Sequence, residues 1–255
     1  MTSAALEPTD DDHFAANVIA SLAGERLLAL RSSGLAGTDL KDAGDSCSHM
    51  FITEELARRF PDDGVLSEEG VDGAARLDRR RVWIIDPLDG TREFSEPPRT
   101  DWAVHVALAI DGHVVVGSVA LPARGLTLGT GGPLPPRDRV DRPPRVLVSR
   151  TRPTEHALLL AERLGGELIP MGSAGAKAMA VVLGEADVYA HSGGQYEWDT
   201  AAPVTVAASA GLHVSRLDGS PLRYNKPDPW SPDVLVCRPE LAADVIAICR
   251  AASAI

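Results

Sequence analysis

Residues 82–94 constrain the fold of this chain more than any other segment. A run of large apolar residues over 82–85 leads into Asp86, and a second carboxylate, Asp89, follows three residues later. The apolar run predicts a buried β-strand, and acidic groups at its end are costly in free energy unless something neutralises them. A divalent cation does so, and oxygen ligands favour Mg²⁺. The sequence therefore predicts a metal site at the end of a buried strand.

The composition is that of an acidic protein with a substantial core. The chain has 255 residues, 44% of them hydrophobic, which suits one large domain or two small ones. Its net charge of −11 argues against nucleic acid or an anionic membrane surface as a partner. The cysteines lack metal-site spacing, and neither a leader sequence nor a membrane-spanning stretch is evident. We expect a cytoplasmic protein.

The pattern of elements predicts two parts of different type. Residues 1–128 combine helices with strands, and Asp111-Gly112 predicts an antiparallel hairpin. Residues 145–255 alternate strands with helices, as in α/β folds. Residues 129–144 are rich in Gly, Pro and Arg. We therefore expect an N-terminal α+β subdomain, a connecting loop and a C-terminal α/β subdomain.

Two helices are predicted near the N-terminus. The first covers residues 12–31, because apolar residues recur there at helical spacing. Its expected apolar stripe contains residues four positions apart, Phe14, Val18 and Leu22, and is widened by further apolar residues: Ile19, Leu27, Leu28 and Leu30. The second helix covers residues 46–60, and the glycine-containing segment 34–44 before it reads as a loop.

Acidic residues stand near the ends of several predicted elements. They are Asp45, Glu68 with Glu69, Asp86 with Asp89, and Asp199. Each group alone has a simpler explanation, since Asp45 and Asp199 suit helix N-caps, Glu pairs suit a solvated surface, and Asp-Pro-x-Asp-Gly suits a tight turn. Their joint occurrence favours a metal site.

Two separated motifs resemble the signatures of the inositol-monophosphatase-like phosphatase superfamily. They are Asp-Pro-Leu-Asp-Gly-Thr at 86–91 and Trp-Asp-Thr-Ala-Ala at 198–202. Ser-Glu-Glu at 67–69 matches the upstream acidic motif of that superfamily, and 218–225 resembles the segment after its last core helix. The resemblance implies a layered αβαβα sandwich of the α/β (α+β) class. It also implies dependence on Mg²⁺, hydrolysis of phosphate monoesters and a homodimer.

The resemblance further implies which residues hold two Mg²⁺ ions. Glu68, Asp86 and the carbonyl of Leu88 would bind the first ion, and Asp86, Asp89 and Asp199 the second. Asp86 would thus bridge the two ions. Such a pair can bind both the attacking and the leaving oxygen of a phosphoryl transfer.

Residues around this pair would activate water and bind phosphate, as the resemblance implies. Thr91 would orient the attacking water, with Glu68 or Asp45 helping to deprotonate it, although Thr91 could instead cap a helix. A third, weaker metal is implied near Glu68 and the residue that matches Asp45. The segment before Asp45 departs from the family pattern, so Asp42 is the alternative. Backbone N–H groups of Gly90 and Thr91 would bind phosphate oxygens.

Two details resemble the bisphosphate nucleotidases of the CysQ type. Arg92 opens an Arg-Glu-Phe segment where those enzymes have Lys-Glu-Phe. Residues 172–177 resemble the nucleotidase segment in which Ser173 and Lys177 would face the nucleotide. Other roles stay open, since Ser173 could cap a helix, Lys177 could be a surface lysine, and Glu197 could face either ribose hydroxyls or solvent.

The resemblance implies a specific substrate, a small phosphorylated nucleotide. The expected reaction is hydrolysis of 3'-phosphoadenosine 5'-phosphate to AMP and phosphate, a step linked to sulfur assimilation. An inositol monophosphatase or a fructose-1,6-bisphosphatase is the alternative, because the same metal site would bind the phosphate of each substrate. A metal- or phosphate-binding module without turnover is the non-enzymatic alternative.

Overall fold

The chain forms helices and strands in alternation over most of its length. The structure, a computed structural model, describes residues 6–70, 73–135, 142–151 and 153–252. The α-helices are α1 (Asp10–Arg31), α2 (Gly37–Arg59), α3 (Thr91–Phe94), α4 (Glu155–Leu164), α5 (Ala174–Val182), α6 (Glu197–Ser209) and α7 (Ala242–Ala252). The strands are β1 (Gly64–Ser67), β2 (Arg81–Asp89), β3 (Ala103–Ile110), β4 (His113–Leu121), β5 (Leu126–Gly129), β6 (Arg145–Ser149), β7 (Glu167–Met171), β8 (Val188–Tyr196), β9 (His213–Ser215) and β10 (Trp230–Cys237).

The strands form two five-stranded sheets. The first has the order β1-β2-β3-β4-β5, with β1 parallel to β2 and the remaining neighbours antiparallel. The second has the order β7-β6-β8-β10-β9, with β6 parallel to β7 and β8, and β10 antiparallel to β8 and β9. The predicted hairpin at Asp111-Gly112 joins β3 to β4, and both of its residues have positive φ.

The helices complete a five-layer arrangement. α1 and α2 cover one face of the first sheet, α5 and α6 lie between the two sheets, and α4 and α7 cover the outer face of the second. This is the αβαβα sandwich that the sequence analysis predicts. Within the described ranges, no helix combines the length and the apolar character needed to cross a lipid bilayer.

The change from one sheet to the other falls within the segment proposed as a connecting loop. β5 ends at Gly129 and β6 begins at Arg145, while residues 136–141 of that loop lie outside the described residues. One core cluster contains residues of both sheets, among them Ala107 and Val234, together with α5 and α6. We propose two subdomains that share this central core, and the site described below lies beside α5 and α6.

The buried face of α1 differs from the predicted stripe. Phe14 is 62% exposed and Leu22 39% exposed, whereas the helix buries a different set of residues: Ala15, Ala16, Ile19, Ala20, Ala23 and Leu27. The small side chains of the alanines allow α1 to approach the first sheet closely. The helix and the burial of Ile19 and Leu27 are correctly predicted, but the placing of Phe14 and Leu22 on the buried face is wrong.

The second helix begins earlier than predicted. α2 starts at Gly37 rather than near residue 46, so the proposed loop 34–44 is mostly helical. Asp45 therefore lies inside the helix and is not an N-cap. Gly44 serves packing, because a Cβ there would lie 2.8 Å from Phe94 Cε1 and 2.9 Å from Leu88 Cδ2. A glycine kept for close approach is easily mistaken for a loop residue in the sequence.

Candidate metal and phosphate site

Three aspartates from two distant segments converge at the end of β2. Asp86 and Asp89 lie at the end of this strand, and Asp199 lies in the first turn of α6. Each offers a carboxylate oxygen, and these oxygens all lie within 4.8 Å of one another. A register shift in the pairing of β2 with β3 separates Asp86 from Asp89 and changes how the strand presents the two side chains.

Glu68 and Leu88 lie next to this cluster. Glu68 follows β1, the parallel neighbour of β2, and its carboxyl group is hydrogen-bonded to that of Asp86. Leu88 is buried in the shifted part of β2, and its backbone N–H donates to Asp86 Oδ1 at 3.1 Å. The structure thus brings all five proposed ligand residues into one region.

The carboxylates perturb one another strongly. Asp86 is only 1% exposed, and burial, followed by the charges of Glu68 and Asp89, raises its pKa well above the ordinary range. Desolvation and the charge of Asp199 raise the pKa of Glu68 to about 7. Desolvation and the charge of Asp89 raise the pKa of Asp199 to about 6. The charges of Asp86, Glu68 and Asp199 are therefore only partly compensated by the protein.

The donor set suits a divalent cation. Hard oxygen ligands favour Mg²⁺, which binds them at about 2.0–2.1 Å and places them roughly 3–4 Å apart. The aspartate oxygens are close to that spacing already, so small side-chain rotations bring them into range. Buried like charges with raised pKa values are what a cation would neutralise. We therefore regard the cluster as a candidate metal site.

Asp89 is held differently from the other carboxylates. Its Oδ2 accepts hydrogen bonds from Ser173 Oγ at 2.5 Å and from the Gly175 N–H at 2.6 Å, and its Oδ1 accepts one from the Ala174 N–H at 3.1 Å. Burial alone would raise the pKa of Asp89, but His105 and these donors lower it to about 2. Asp89 is therefore an ionised carboxylate, fixed by the N-terminus of α5.

Sequence reasoning missed His105. This residue lies on β3 opposite Asp86 and is fully buried, with Nε2 3.2 Å from Asp89 Oδ2. Its Nδ1 lies 3.0 Å from the carbonyl oxygen of Trp198. A single histidine in an apolar run carries no spacing signal, and only the pairing of β2 with β3 reveals its position.

Thr91 lies between the metal cluster and α2. Its hydroxyl donates to the carbonyl of Leu88 at 3.1 Å and lies 3.5 Å from Asp45 Oδ1. Desolvation and the charge of Glu69 raise the pKa of Asp45 to about 6. Of the two alternatives in α2, the structure places Asp45 against Thr91, and Asp42 is exposed.

A cavity of about 550 Å³ opens beside the cluster. The residues proposed for substrate binding that line it are Gly90, Thr91, Arg92, Ser173 and Lys177. Gly90 has φ +85° and precedes the first turn of α3, where backbone N–H groups lack helical partners. Arg150 and Glu93 also line the cavity and pair with each other at 2.8 Å.

The structure contradicts the surface alternative for Lys177. The side chain is only 6% exposed, and its Nζ lies 5.3 Å from the centre of the Tyr189 ring. Burial lowers the pKa of Lys177, while the charges of Asp89 and Glu93 oppose this shift. Ser173 does cap α5, since its Oγ accepts the Ala176 N–H at 2.9 Å, and it also donates to Asp89. Its contact with a nucleotide stays a prediction.

Glu197 does not face a substrate or solvent. It is fully buried, and its two carboxylate oxygens accept hydrogen bonds from the backbone N–H groups of Asn225 at 2.6 Å and Lys226 at 3.0 Å. Both alternatives offered by the sequence are thus wrong for this residue. Its role is to fix the 225–226 loop to the first turn of α6, two residues before Asp199.

Residues 13–253 match the sequence model of the inositol monophosphatase family. The chain belongs to the inositol monophosphatase family. This result confirms the predicted superfamily, and the fold described above agrees with it.

Two relatives within this family have names that specify an activity. A Mycobacterium leprae protein named 3'-phosphoadenosine 5'-phosphate phosphatase is 47% identical over 255 aligned positions, which cover 91% of each chain. The Escherichia coli protein named 3'(2'),5'-bisphosphate nucleotidase CysQ is 33% identical over 195 positions, covering 71% of this chain and 78% of its own. These names agree with the phosphatase class and subfamily predicted from the sequence.

Solved structures of the family share the fold. The structure of CysQ from Bacteroides thetaiotaomicron superposes with a TM-score of 0.75 at 28% identity, covering 90% of this chain and 97% of its own. Inositol monophosphatase II from Staphylococcus aureus gives a TM-score of 0.79 at 22% identity, covering 93% and 96%. The second likeness shows the αβαβα architecture alone.

Proposed function

We propose that this chain is a Mg²⁺-dependent phosphatase that hydrolyses 3'-phosphoadenosine 5'-phosphate to AMP and phosphate. The observation that carries the proposal is the 47% identity, over 91% of both chains, to a protein named for this phosphatase activity. The convergence of Asp86, Asp89 and Asp199 supports it, because phosphoryl transfer to water needs charge compensation at the phosphate.

We propose that two Mg²⁺ ions bind at the cluster, with Asp86 shared and Glu68, Leu88, Asp89 and Asp199 supplying the other ligands. When bound, they would lower the pKa of a water molecule and offset the charge of the phosphate oxygens. A third, weaker ion near Glu68 and Asp45 stays a prediction.

Thr91 and Asp45 are proposed to handle the proton of the attacking water. The Thr91 hydroxyl lies 3.1 Å from the Leu88 carbonyl and 3.5 Å from Asp45 Oδ1. In the proposed reaction it would donate to Asp45 in place of the Leu88 carbonyl while it accepts from water. A base works best when its pKa lies near the working pH, and the pKa of Asp45, raised to about 6, satisfies this. Glu68, which lies beside the same cluster, is the second candidate for the same role.

The cavity beside the cluster is proposed to hold the remainder of the nucleotide. Backbone N–H groups of Gly90 and Thr91 would bind the phosphate that is cleaved. The ammonium group of Lys177, assisted by Ser173 and Arg92, would favour a substrate with a second phosphate. A buried cation next to an open cavity distinguishes this site from one that binds a single phosphate group alone.

Steady-state kinetics with three substrates tests this function. We expect kcat/KM for 3'-phosphoadenosine 5'-phosphate to exceed that for inositol 1-phosphate and fructose 1,6-bisphosphate by at least about 100-fold, which is about 2.7 kcal/mol of discrimination. All activity should disappear with EDTA and return with Mg²⁺. A higher kcat/KM for either sugar phosphate would overturn the substrate assignment, and phosphate release unaffected by EDTA would overturn the metal dependence.

Two further expectations accompany the proposed function. The family resemblance implies a homodimer, which light scattering coupled to size-exclusion chromatography would test directly. A cytoplasmic location remains the expectation from the sequence. The proposed metal site depends on neither expectation.

A further inference from the structure

His105 is a buried polar residue that the proposed reaction does not use. It is fully buried between β2 and α6, and its imidazole ring lies against two of the proposed metal ligands. Nε2 is 3.2 Å from Asp89 Oδ2, and Nδ1 is 3.9 Å from Asp86 Oδ2. A buried imidazole needs polar partners for its ring nitrogens, and the partners of His105 indicate what the residue does.

Both ring nitrogens of His105 face oxygen acceptors. Nδ1 lies 3.0 Å from the backbone carbonyl of Trp198, which can only accept. Nε2 lies 3.2 Å from Asp89 Oδ2, a contact between the ring and the carboxylate that does not meet hydrogen-bond geometry. The ring therefore acts as a rigid spacer that contacts Asp89 on one side and is hydrogen-bonded through Nδ1 on the other. It connects the end of β2 to the residue directly before Asp199, so one side chain links two ligands that are 110 residues apart in the chain.

A glycine in α5 makes room for this ring. A Cβ atom at position 175 would lie 2.0 Å from His105 Nε2, which no packing arrangement tolerates. The same Gly175 donates its N–H to Asp89 Oδ2 at 2.6 Å. The ring and the N-terminus of α5 thus approach the same carboxylate oxygen from two sides, and a larger residue would separate them.

The donors around Asp89 are distributed unequally. Oδ2 receives Ser173 Oγ and the Gly175 N–H and faces His105, whereas Oδ1 receives one longer hydrogen bond from the Ala174 N–H at 3.1 Å. Two donors to Oδ2, with the imidazole ring packed beside it, fix the plane of the carboxylate. Oδ1 is then the oxygen with capacity left for a cation.

We propose that His105 is a positioning residue for the metal site, which orients Asp89 and fixes the first turn of α6 so that Asp89 and Asp199 bind the same cation. The inference rests on the proposed metal site and goes beyond the proposed substrate. Groups that orient metal ligands in this way typically change metal affinity by 10–100-fold when they are removed.

The test compares Mg²⁺ affinity among variants of the full chain by isothermal titration calorimetry, without substrate. His105→Gln keeps an amide donor near the position of Nε2, and His105→Asn keeps one near Nδ1. We expect His105→Ala to weaken Mg²⁺ binding by at least about tenfold, with His105→Gln closer to the wild type than His105→Asn. With saturating Mg²⁺, kcat for the nucleotide should fall while KM changes less than about twofold.

Val116→Ala is the matched control, since Val116 is fully buried in β4 of the same sheet and far in register from Asp86. It should lower thermal stability and leave Mg²⁺ affinity unchanged. Wild-type Mg²⁺ affinity in folded His105→Ala, or an equal loss of affinity in Val116→Ala, would overturn the proposal. Because binding is measured without substrate, this outcome is independent of whether 3'-phosphoadenosine 5'-phosphate is hydrolysed.

Gly175→Ala provides a second test if His105→Ala folds poorly. The added methyl group should displace the imidazole and weaken Mg²⁺ binding by about as much as His105→Gln does or more. In the His105→Gln background, whose side chain is flexible, the same change should have a smaller effect than in the wild type. Full additivity, or no effect of Gly175→Ala alone, would contradict the proposed role of the ring.

Discussion

Among single residues, Asp86 is a buried carboxyl group with a strongly perturbed pKa. It lies near the end of β2, which is buried along almost its whole length, and burial together with Glu68 and Asp89 raises its pKa well above the ordinary range. A carboxylate in such a place destabilises the fold unless it is neutralised. Two cations bound by Asp86 would neutralise its charge, which explains how a carboxylate is accommodated at this buried position.

Asp86→Asn should therefore separate function from stability. We expect kcat/KM for the nucleotide to fall by about 10³-fold or more, because the shared metal ligand is lost. Thermal stability in EDTA should stay the same or rise, since one buried like charge is removed. Asp218→Asn, at an exposed position, is the control that should change neither quantity. Activity within tenfold of the wild type would exclude Asp86 as a bridging ligand.

Lys177 should determine substrate preference. Lys177→Ala removes a buried cation next to the cavity, so we expect kcat/KM to fall by about 30-fold for the bisphosphate nucleotide and by less than threefold for inositol 1-phosphate. Lys226→Ala, a lysine outside the cavity, is the matched control. Equal losses on both substrates would show that Lys177 supports the site in general and does not recognise a second phosphate.

The sequence predicts some of these residues better than others, for physical reasons. Asp86, Asp89 and Asp199 belong to motifs whose spacing itself carries information. His105 becomes visible only when β2 pairs with β3, which is a long-range property. The burial of Glu197 is hard to predict from the sequence. It lies only two residues from Asp199, but side chains two positions apart on a helix point in different directions.

At the scale of elements, the first turn of α6 is the part on which the site most depends. It carries Asp199, whose Oδ2 accepts the Tyr196 N–H at 2.6 Å, and it offers the Trp198 carbonyl to His105. The N-cap of α6 is Tyr196, so the expectation that Asp199 is itself the N-cap is wrong. Asp199 is the third residue of the helix, where it accepts the N-cap N–H and is also a candidate ligand. Glu197 fixes this turn to a separate loop.

Glu197→Ala tests that anchoring role. Removing the carboxylate leaves two backbone N–H groups without their acceptor, and we expect the free energy of unfolding to fall by about 3 kcal/mol. Chemical denaturation measures this change. Glu197→Gln, which keeps one oxygen acceptor, should lose about half as much. If either variant instead raised KM for the nucleotide with unchanged stability, Glu197 would contact the substrate after all.

Packing between distant elements limits how well the bounds of helices and strands can be predicted from the sequence. The hairpin between β3 and β4 is predicted by two adjacent turn residues, so local sequence suffices. The start of α2 is not predicted by local sequence, because Gly37 and Gly44 resemble loop residues. Gly44 instead allows the close approach of Phe94 and Leu88. Contacts between distant elements decide such positions.

At the scale of the whole molecule, the site lies where the central helices meet the first sheet. α5 fixes Asp89 from one side and α6 supplies Asp199 from the other, and both helices belong to the core shared by the two sheets. The metal cluster therefore depends on the assembly of β2 with α5 and α6. Cation binding should accordingly stabilise the entire fold.

The pH dependence of stability should show this coupling. Between about pH 4.5 and 7 the folded chain retains protons that the unfolded chain has lost, because the pKa of Asp199 is raised to about 6 and that of Glu68 to about 7. The free energy of unfolding without metal should therefore fall as pH rises through this window. The raised pKa of His105 acts in the same direction, because its stabilisation is lost as pH rises through the folded value.

Mg²⁺ should reverse this trend, because the cation competes with those protons. Thermal unfolding in EDTA and in Mg²⁺ at pH 5.5 and pH 8 measures both effects. We expect the stabilisation by Mg²⁺ to be several-fold larger, in degrees, at pH 8. A melting temperature in EDTA that rises between these pH values, or a Mg²⁺ effect independent of pH, would contradict the electrostatic account.

Carboxylates from β2 and α6 are proposed to bind divalent cations together. Anomalous diffraction from crystals soaked in Mn²⁺, a cation with similar ligand preferences, is the sharpest test of this site. We expect two anomalous peaks at the cluster, one bound by Asp86, Asp89 and Asp199 and the other by Asp86 and Glu68. Clear density for these side chains with no anomalous peak among them would contradict this proposal.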